Sequence, residues 1–144
     1  MIQRIQTVYL FIAILVSSLL TFFFNLWVDM DGVIVYAFDL ITNESWSVKM
    51  IPILFALSSV FSLITILKFK KRQTQFVLGR LNILINLFVL GLLVYHLQSL
   101  SGETFVSEKG IGSALPLIVI VLLVMANRAI KKDEDLVKSV DRLR

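Results

Sequence analysis

The stretch Lys68-Phe69-Lys70-Lys71-Arg72 decides how this chain is read. Four cations with no carboxylate near them stand between two long apolar runs. Lys and Arg beside apolar segments hold a loop on the cytoplasmic side of a membrane, because positive residues resist translocation. The middle of the chain is therefore expected in the cytoplasm, and the runs on either side of it become the two arms of a membrane hairpin.

Composition agrees with lipid as the solvent. Of the 144 residues 58% are hydrophobic and only 17% charged, and the mean hydropathy is +0.88. Soluble domains use about half apolar and about a quarter charged residues, and one this small exposes too much surface to hide the excess. The net charge of +4 does not point to nucleic acid, since the cations collect at the ends of apolar runs rather than on one face. Cysteine is absent, which excludes disulfides and thiol chemistry.

Working outward, the runs predict four spans at about 8–28, 50–67, 76–97 and 111–128, near the twenty residues a helix needs to cross ~30 Å of hydrocarbon. The first is too long for a signal peptide and lacks a small-residue cleavage site; Trp27 suits the interface at its end. Pro52 and Pro116 each fall in the first turn of a span, where a missing donor costs little. Arg80, one turn inside the third span, can snorkel back to the headgroups. Ser113 reads as the N-cap of the fourth. Between the first two spans, residues 33–38 follow an Asp31-Gly32 turn signal and are either a short strand or an irregular interfacial loop.

The loop including Arg80 carries five cations and the end of the chain six, whereas Lys49 and Lys109 stand alone on the other side. Both termini are thus expected in the cytoplasm, in an all-α, up-down-up-down four-helix bundle. Lys68, Lys70, Lys71, Arg72 and Arg80 are its topology determinants. The fourth span is expected to continue as helix into the tail, where residues 129–144 predict an amphipathic cytoplasmic helix with Ile130, Leu136, Val137, Val140 and Leu143 on its apolar face. The polar face mixes both signs, unlike that of an anionic-lipid binder.

Polar residues recur at helical spacing inside three spans: Ser18, Thr21 and Asn25; Ser58, Ser62 and Thr65; Gly79, Asn82 and Asn86. In lipid such groups turn inward and bond to neighbouring helices. They either pack the bundle or line a polar cavity for a solute or headgroup. His96 is the single histidine, too little for a haem or zinc site, and no metal or cofactor is expected. The spans hold no Asp or Glu, which argues against proton-coupled transport by this chain alone. No nucleophile–base pair or phosphate loop is visible.

The opening Met1-Ile2-Gln3-Arg4-Ile5-Gln6-Thr7-Val8-Tyr9-Leu10 and the close Ala126-Asn127-Arg128-Ala129-Ile130-Lys131-Lys132-Asp133-Glu134-Asp135-Leu136-Val137-Lys138-Ser139-Val140-Asp141-Arg142-Leu143-Arg144 resemble a family of small four-span inner-membrane proteins of the Bacteroidota known only as a domain of unknown function. The resemblance implies a bacterial inner membrane and brings no activity or site residue with it. The expectation is a non-enzymatic accessory subunit of a larger membrane assembly for insertion, secretion, envelope or respiratory work, docked through its tail on another subunit or on a second copy of itself. The alternative is a small oligomeric transporter or lipid-binding protein built around the polar stripe. A membrane enzyme or cofactor subunit using His96 is a third reading.

Overall fold

Lipid offers the backbone no hydrogen-bond partner, so apolar runs of this length satisfy their own N–H and C=O groups by coiling. The structure, a computed structural model, describes residues 3–28, 31–42, 44–101 and 110–144. Its helices are α1 (Gln3–Ser18), α2 (Leu20–Phe23), α3 (Trp46–Leu67), α4 (Arg72–Ser101) and α5 (Leu115–Arg142). With α2 continuing α1 past Leu19, four helices are long and apolar enough to cross a membrane. They alternate in direction and close a ring: α1 and α4 each pack against both α3 and α5. This is the expected up-down-up-down bundle.

One face of each helix is closed by its neighbours. On α1 the buried face is Gln6, Leu10, Ala13 and Ser17; on α4 it is Gln75, Gly79, Asn82, Asn86, Val89, Leu93 and Leu97. The steps of three and four are those of a single helical stripe. The opposite faces are also apolar and exposed, with Phe11, Leu63, Phe88 and Val121 among them. In water such a surface would be an aggregation liability. In lipid it is the outer wall, and helix association then rests on close packing and buried polar bonds rather than on hydrophobic burial.

The ends of the bundle differ. One end, here the basic end, gathers the start of α1, the Lys68–Lys71 turn and the last buried turn of α5. The other carries a small cap. β1 (Trp27–Val28) pairs antiparallel with β2 (Ile34–Val35) in the register Trp27↔Val35 and Val28↔Ile34. Gly32, at φ +74°, supplies the left-handed residue near the turn, as only glycine does without strain. The Phe22 and Phe38 rings stack with centroids 3.9 Å apart, and Leu26, Trp27, Ala37 and Leu40 are buried beneath. The segment 110–112 ties α5 to this cap: Gly110 N–H donates to Leu26 O at 3.1 Å and Gly112 N–H to Asn25 O at 2.9 Å.

Several boundaries depart from the sequence reading. The first helix stops at Phe23 rather than continuing to residue 28, because residues 27–28 find a strand partner in 34–35. Trp27 is consequently buried, and Trp46, exposed at the start of α3, is the ring placed to meet the interface. Of the two readings of 33–38 the strand is correct, though only over Ile34–Val35. Because α3 begins at Trp46, Pro52 stands in its second turn, where its missing N–H deprives the Val48 carbonyl of its helical donor. Pro116 does occupy the first turn of α5. Ser113 is not the N-cap: it sits within a 3-10 turn, Ile111–Ala114, and its hydroxyl donates back to Gly110 O at 2.8 Å. Much of the loop expected between the third and fourth spans, including Gly102 and Lys109, lies outside the described residues.

The fourth span continues as helix into the end of the chain, as expected. α5 runs from Leu115 to Arg142 without a break at residue 128, and a distinct amphipathic tail finds no support. Ile130 is fully buried in the bundle rather than on a docking face, and Asp133 is the last buried residue. Leu136, Val137, Val140 and Leu143 are 44, 44, 59 and 89% exposed. Their polar neighbours are exposed too, and Lys138 pairs with Glu134 at 2.8 Å, a solvated i,i+4 pair that adds little.

Candidate functional site: a one-sided polar seam

Apart from Ser17 and Thr21, whose hydroxyls bond to carbonyls of the first span itself, the buried polar side chains of the ring lie in the half nearer the basic end. Beyond Asn86 the buried residues of α4 are Val89, Leu93 and Leu97, and beyond Ser58 those of α3 are Phe55, Leu54, Pro52, Ile51 and Val48. From Asn86 and Ser58 toward the basic end runs a seam of Asn82, Ser62, Thr65, Gln75, Asn127, Gln6 and Asp133.

Its upper part is the pair of stripes anticipated on the second and third spans. The Asn82 amide donates to Ser62 Oγ at 2.7 Å and to Ser58 O at 3.1 Å. The Asn86 amide donates to Ser58 Oγ at 2.7 Å and to Asn82 O at 2.9 Å. All four side chains are closed off from solvent. This cluster joins α3 to α4 through Ser58, Ser62, Asn82 and Asn86. Each interhelical bond in a membrane contributes about 0.6–2 kcal/mol. Asn82→Leu is therefore expected to lower stability by about that much while leaving the four spans inserted, measured as the thermal midpoint of the detergent-purified protein.

The stripe on the first span does something else. The hydroxyls of Ser17, Ser18 and Thr21 all donate to carbonyls three or four residues earlier in their own helix, at 2.6–3.4 Å. Such back-bonding competes with the helical ladder and bends it, in keeping with the break at Leu19. Asn25 lies beyond the helix, half-buried in the cap, and contributes its backbone carbonyl to Gly112. It is not an intramembrane packing residue.

Lower in the seam, Gln75 Nε2 donates to Thr65 O at 3.0 Å. Gly79 leaves room for Asn127, since a Cβ at 79 would overlap that amide. At the bottom, Arg72 grips the last buried turn of α5: Nη2 lies 3.3 Å from Asp133 Oδ2, and Nη1 donates to Asp133 O at 3.3 Å. Arg72 is thus an interhelical anchor as well as a member of the basic turn, whereas Lys68, Lys70 and Lys71 are exposed. Arg80, exposed, lays its guanidinium over the Phe76 ring, 4.2 Å from its centroid, which carries its charge toward the basic end as snorkelling requires.

Around this anchor is a cavity of about 400 Å³ lined by Gln6 and Val8 of α1, Phe69 of the turn, Arg72 and Gln75 of α4, and Asp133 of α5. Buried polar atoms without a hydrogen-bond partner gather on the seam: Asn86 Oδ1, Asn127 Oδ1, Asp133 Oδ2 and Gln6 Nε2. Buried groups of this kind are ordinarily paired. The remaining one among the described residues, His96 Nε2, lies on the other half of α4, where the ring meets Tyr95 edge-on at 5.4 Å. Among the described residues no three His, Cys, Asp or Glu converge on a metal position.

The sequence reading reached the Asn–Ser cluster but not Gln6, Gln75, Asn127 or Asp133. The signal was present in the register: Asn86, Asn82, Gly79, Gln75 and Arg72 step back along α4 by four, three, four and three.

The model of a family described as a domain of unknown function, DUF4293, matches residues 2–143. No curated protein matches the chain, and no solved structure does.

Proposed function

The chain belongs to the DUF4293 family, and from that premise, with four helices fit to cross a membrane, we propose a non-enzymatic accessory subunit of a larger assembly in the bacterial inner membrane. The basic end faces the cytoplasm, because twelve of the fourteen Lys and Arg flank the spans on that side. The observation that carries the reading is the length of α5. It continues from Glu134 to Arg142 without burying another residue, and it presents Leu136, Val137, Val140 and Leu143. A helix that leaves its own bundle with four large apolar side chains uncovered gains by docking in a groove of another protein.

Two variants test it. Removing residues 134–144 spares Ile130 and Asp133, so the bundle is expected to insert and fold while the co-purifying subunits are lost. Leu136→Asp with Val140→Asp does the same at full length. Recovery of the same proteins in the same amounts by wild type and both variants, after mild-detergent purification from the native host, would sink the accessory role.

A second reading is favoured by a different observation. The cavity at the basic end joins a partly buried ion pair to an unpartnered amide, which supports binding of a small polar ligand or lipid between the helices.

A further inference from the structure

The cavity at the basic end has a depth, a charge pattern and one unanswered donor, and together these define an occupant. Its depth comes from the spans: the first begins at Ile5 and the third at Arg72, so Gln6 and Arg72 stand in the opening turns of their helices, at the level of lipid headgroups. Its walls are mixed. Val8 and Phe69 are apolar and more than half exposed, while Gln6, Arg72, Gln75 and Asp133 supply polar groups.

The charge pattern selects among headgroups. Among the lining residues Arg72 is paired with Asp133 at 3.3 Å, so a simple anion seated on them would leave one negative charge uncompensated within the lining, the exposed Lys68, Lys70 and Lys71 of the adjoining turn standing outside it. A zwitterion would not. Arg72 spends one N–H on Asp133 O and, with five donors in all, keeps others for a phosphodiester oxygen. The Gln6 side chain is only 4% exposed, and its Nε2 has no partner, which supplies a second donor to phosphate. The Asp133 carboxylate, whose Oδ2 faces Arg72 Nη2 at 3.3 Å without a hydrogen bond, is the negative group of the lining and can accept a hydrogen bond from an ammonium. A primary ammonium donates such a bond, whereas a quaternary one cannot.

We propose that this cavity seats the head of an ethanolamine phospholipid, its phosphate against Arg72 and Gln6 and its ammonium against Asp133. The proposal rests on the ligand-binding reading above and is independent of the accessory role.

Native mass spectrometry of the delipidated full-length protein, offered dioleoyl phosphatidylethanolamine, phosphatidylglycerol and phosphatidylcholine together, tests it. Wild type is expected to retain phosphatidylethanolamine about tenfold over either competitor, the scale of one charge-assisted hydrogen bond. Gln6→Leu, which removes an unpartnered donor, should stay folded by its thermal midpoint and lose that preference. Asp133→Asn should move the preference to phosphatidylglycerol, since the site then carries the positive charge of Arg72 alone. Equal retention of all three lipids by wild type, or an unchanged preference in a folded Gln6→Leu, overturns the assignment. So does displacement of the lipid by water-soluble glycerophosphoethanolamine at equal concentration, which would make the occupant a free metabolite. A wild type that holds phosphatidylglycerol best overturns the headgroup alone. One that holds neither lipid nor soluble headgroup overturns the ligand-binding reading with it.

Discussion

Gly112→Ala is expected to destabilise the protein by about 1–3 kcal/mol, the usual cost of forcing one extra carbon into a packed site. A Cβ at 112 would meet Asn25 O at 2.6 Å and Phe24 O at 2.8 Å. Both are backbone atoms, and neither can rotate away as a side chain could. To relieve the overlap, segment 110–114 must move off the cap and give up the Gly112 N–H to Asn25 O bond. Gly110→Ala is expected to behave alike, since its Cβ would fall on the same carbonyl. Gly91→Ala is the control: nothing lies within 4 Å of a Cβ there, and replacing a glycine inside a helix should leave stability level or raise it by up to ~1 kcal/mol. Thermal unfolding of the three variants in one detergent decides it; equal midpoints for Gly112→Ala and Gly91→Ala would show that the tie between cap and α5 adds nothing.

The second large effect concerns threading. Exchanging Lys68, Lys70 and Lys71 for Gln while placing Lys at the exposed positions Ile41, Glu44 and Ser45 on the other side shifts the Lys and Arg balance from twelve against two to nine against five. Orientation follows that balance near the span ends, so a mixture of orientations or poor accumulation is expected. Arg72 is left in place because it also anchors Asp133, and its removal would confuse threading with packing. Reporter fusions at Glu44 and at Arg144 read the outcome. A wild type reporting cytoplasm at both would refute the proposed orientation, and a variant indistinguishable from wild type would show that the lysines do not set it.

What could be read from the sequence follows from which forces are local. Four spans were visible because length and hydropathy alone commit a segment to crossing lipid. The Asn82–Asn86 and Ser58–Ser62 pairs were visible because one helical turn separates their members and lipid leaves amides nowhere else to turn. The cap was only half visible: the turn at Gly32 has a signature, but the pairing of Trp27–Val28 with Ile34–Val35 ends a helix that hydropathy would have continued. Gln6 and Asp133 escaped because polar residues near a span end look solvated until the neighbouring helices are placed around them. Ile130 misled for the opposite reason, since its spacing fits the exposed tail as well as the buried face of α5.

The ring also constrains how the chain is made. α1 and α5, the earliest and latest translated of the four spanning helices described, are neighbours. The bonds of Asn82 and Asn86 to Ser58 and Ser62 span 20–28 residues of chain and can form while the remainder is still being translated. The flank of α1 that packs against α5 has no such early partner. It stays open until residues 110–133 arrive, with loop closure across nearly the whole chain delaying the last contact. A chain arrested after α4 would thus hold a finished hairpin beside a helix whose α5-facing flank is still open to lipid.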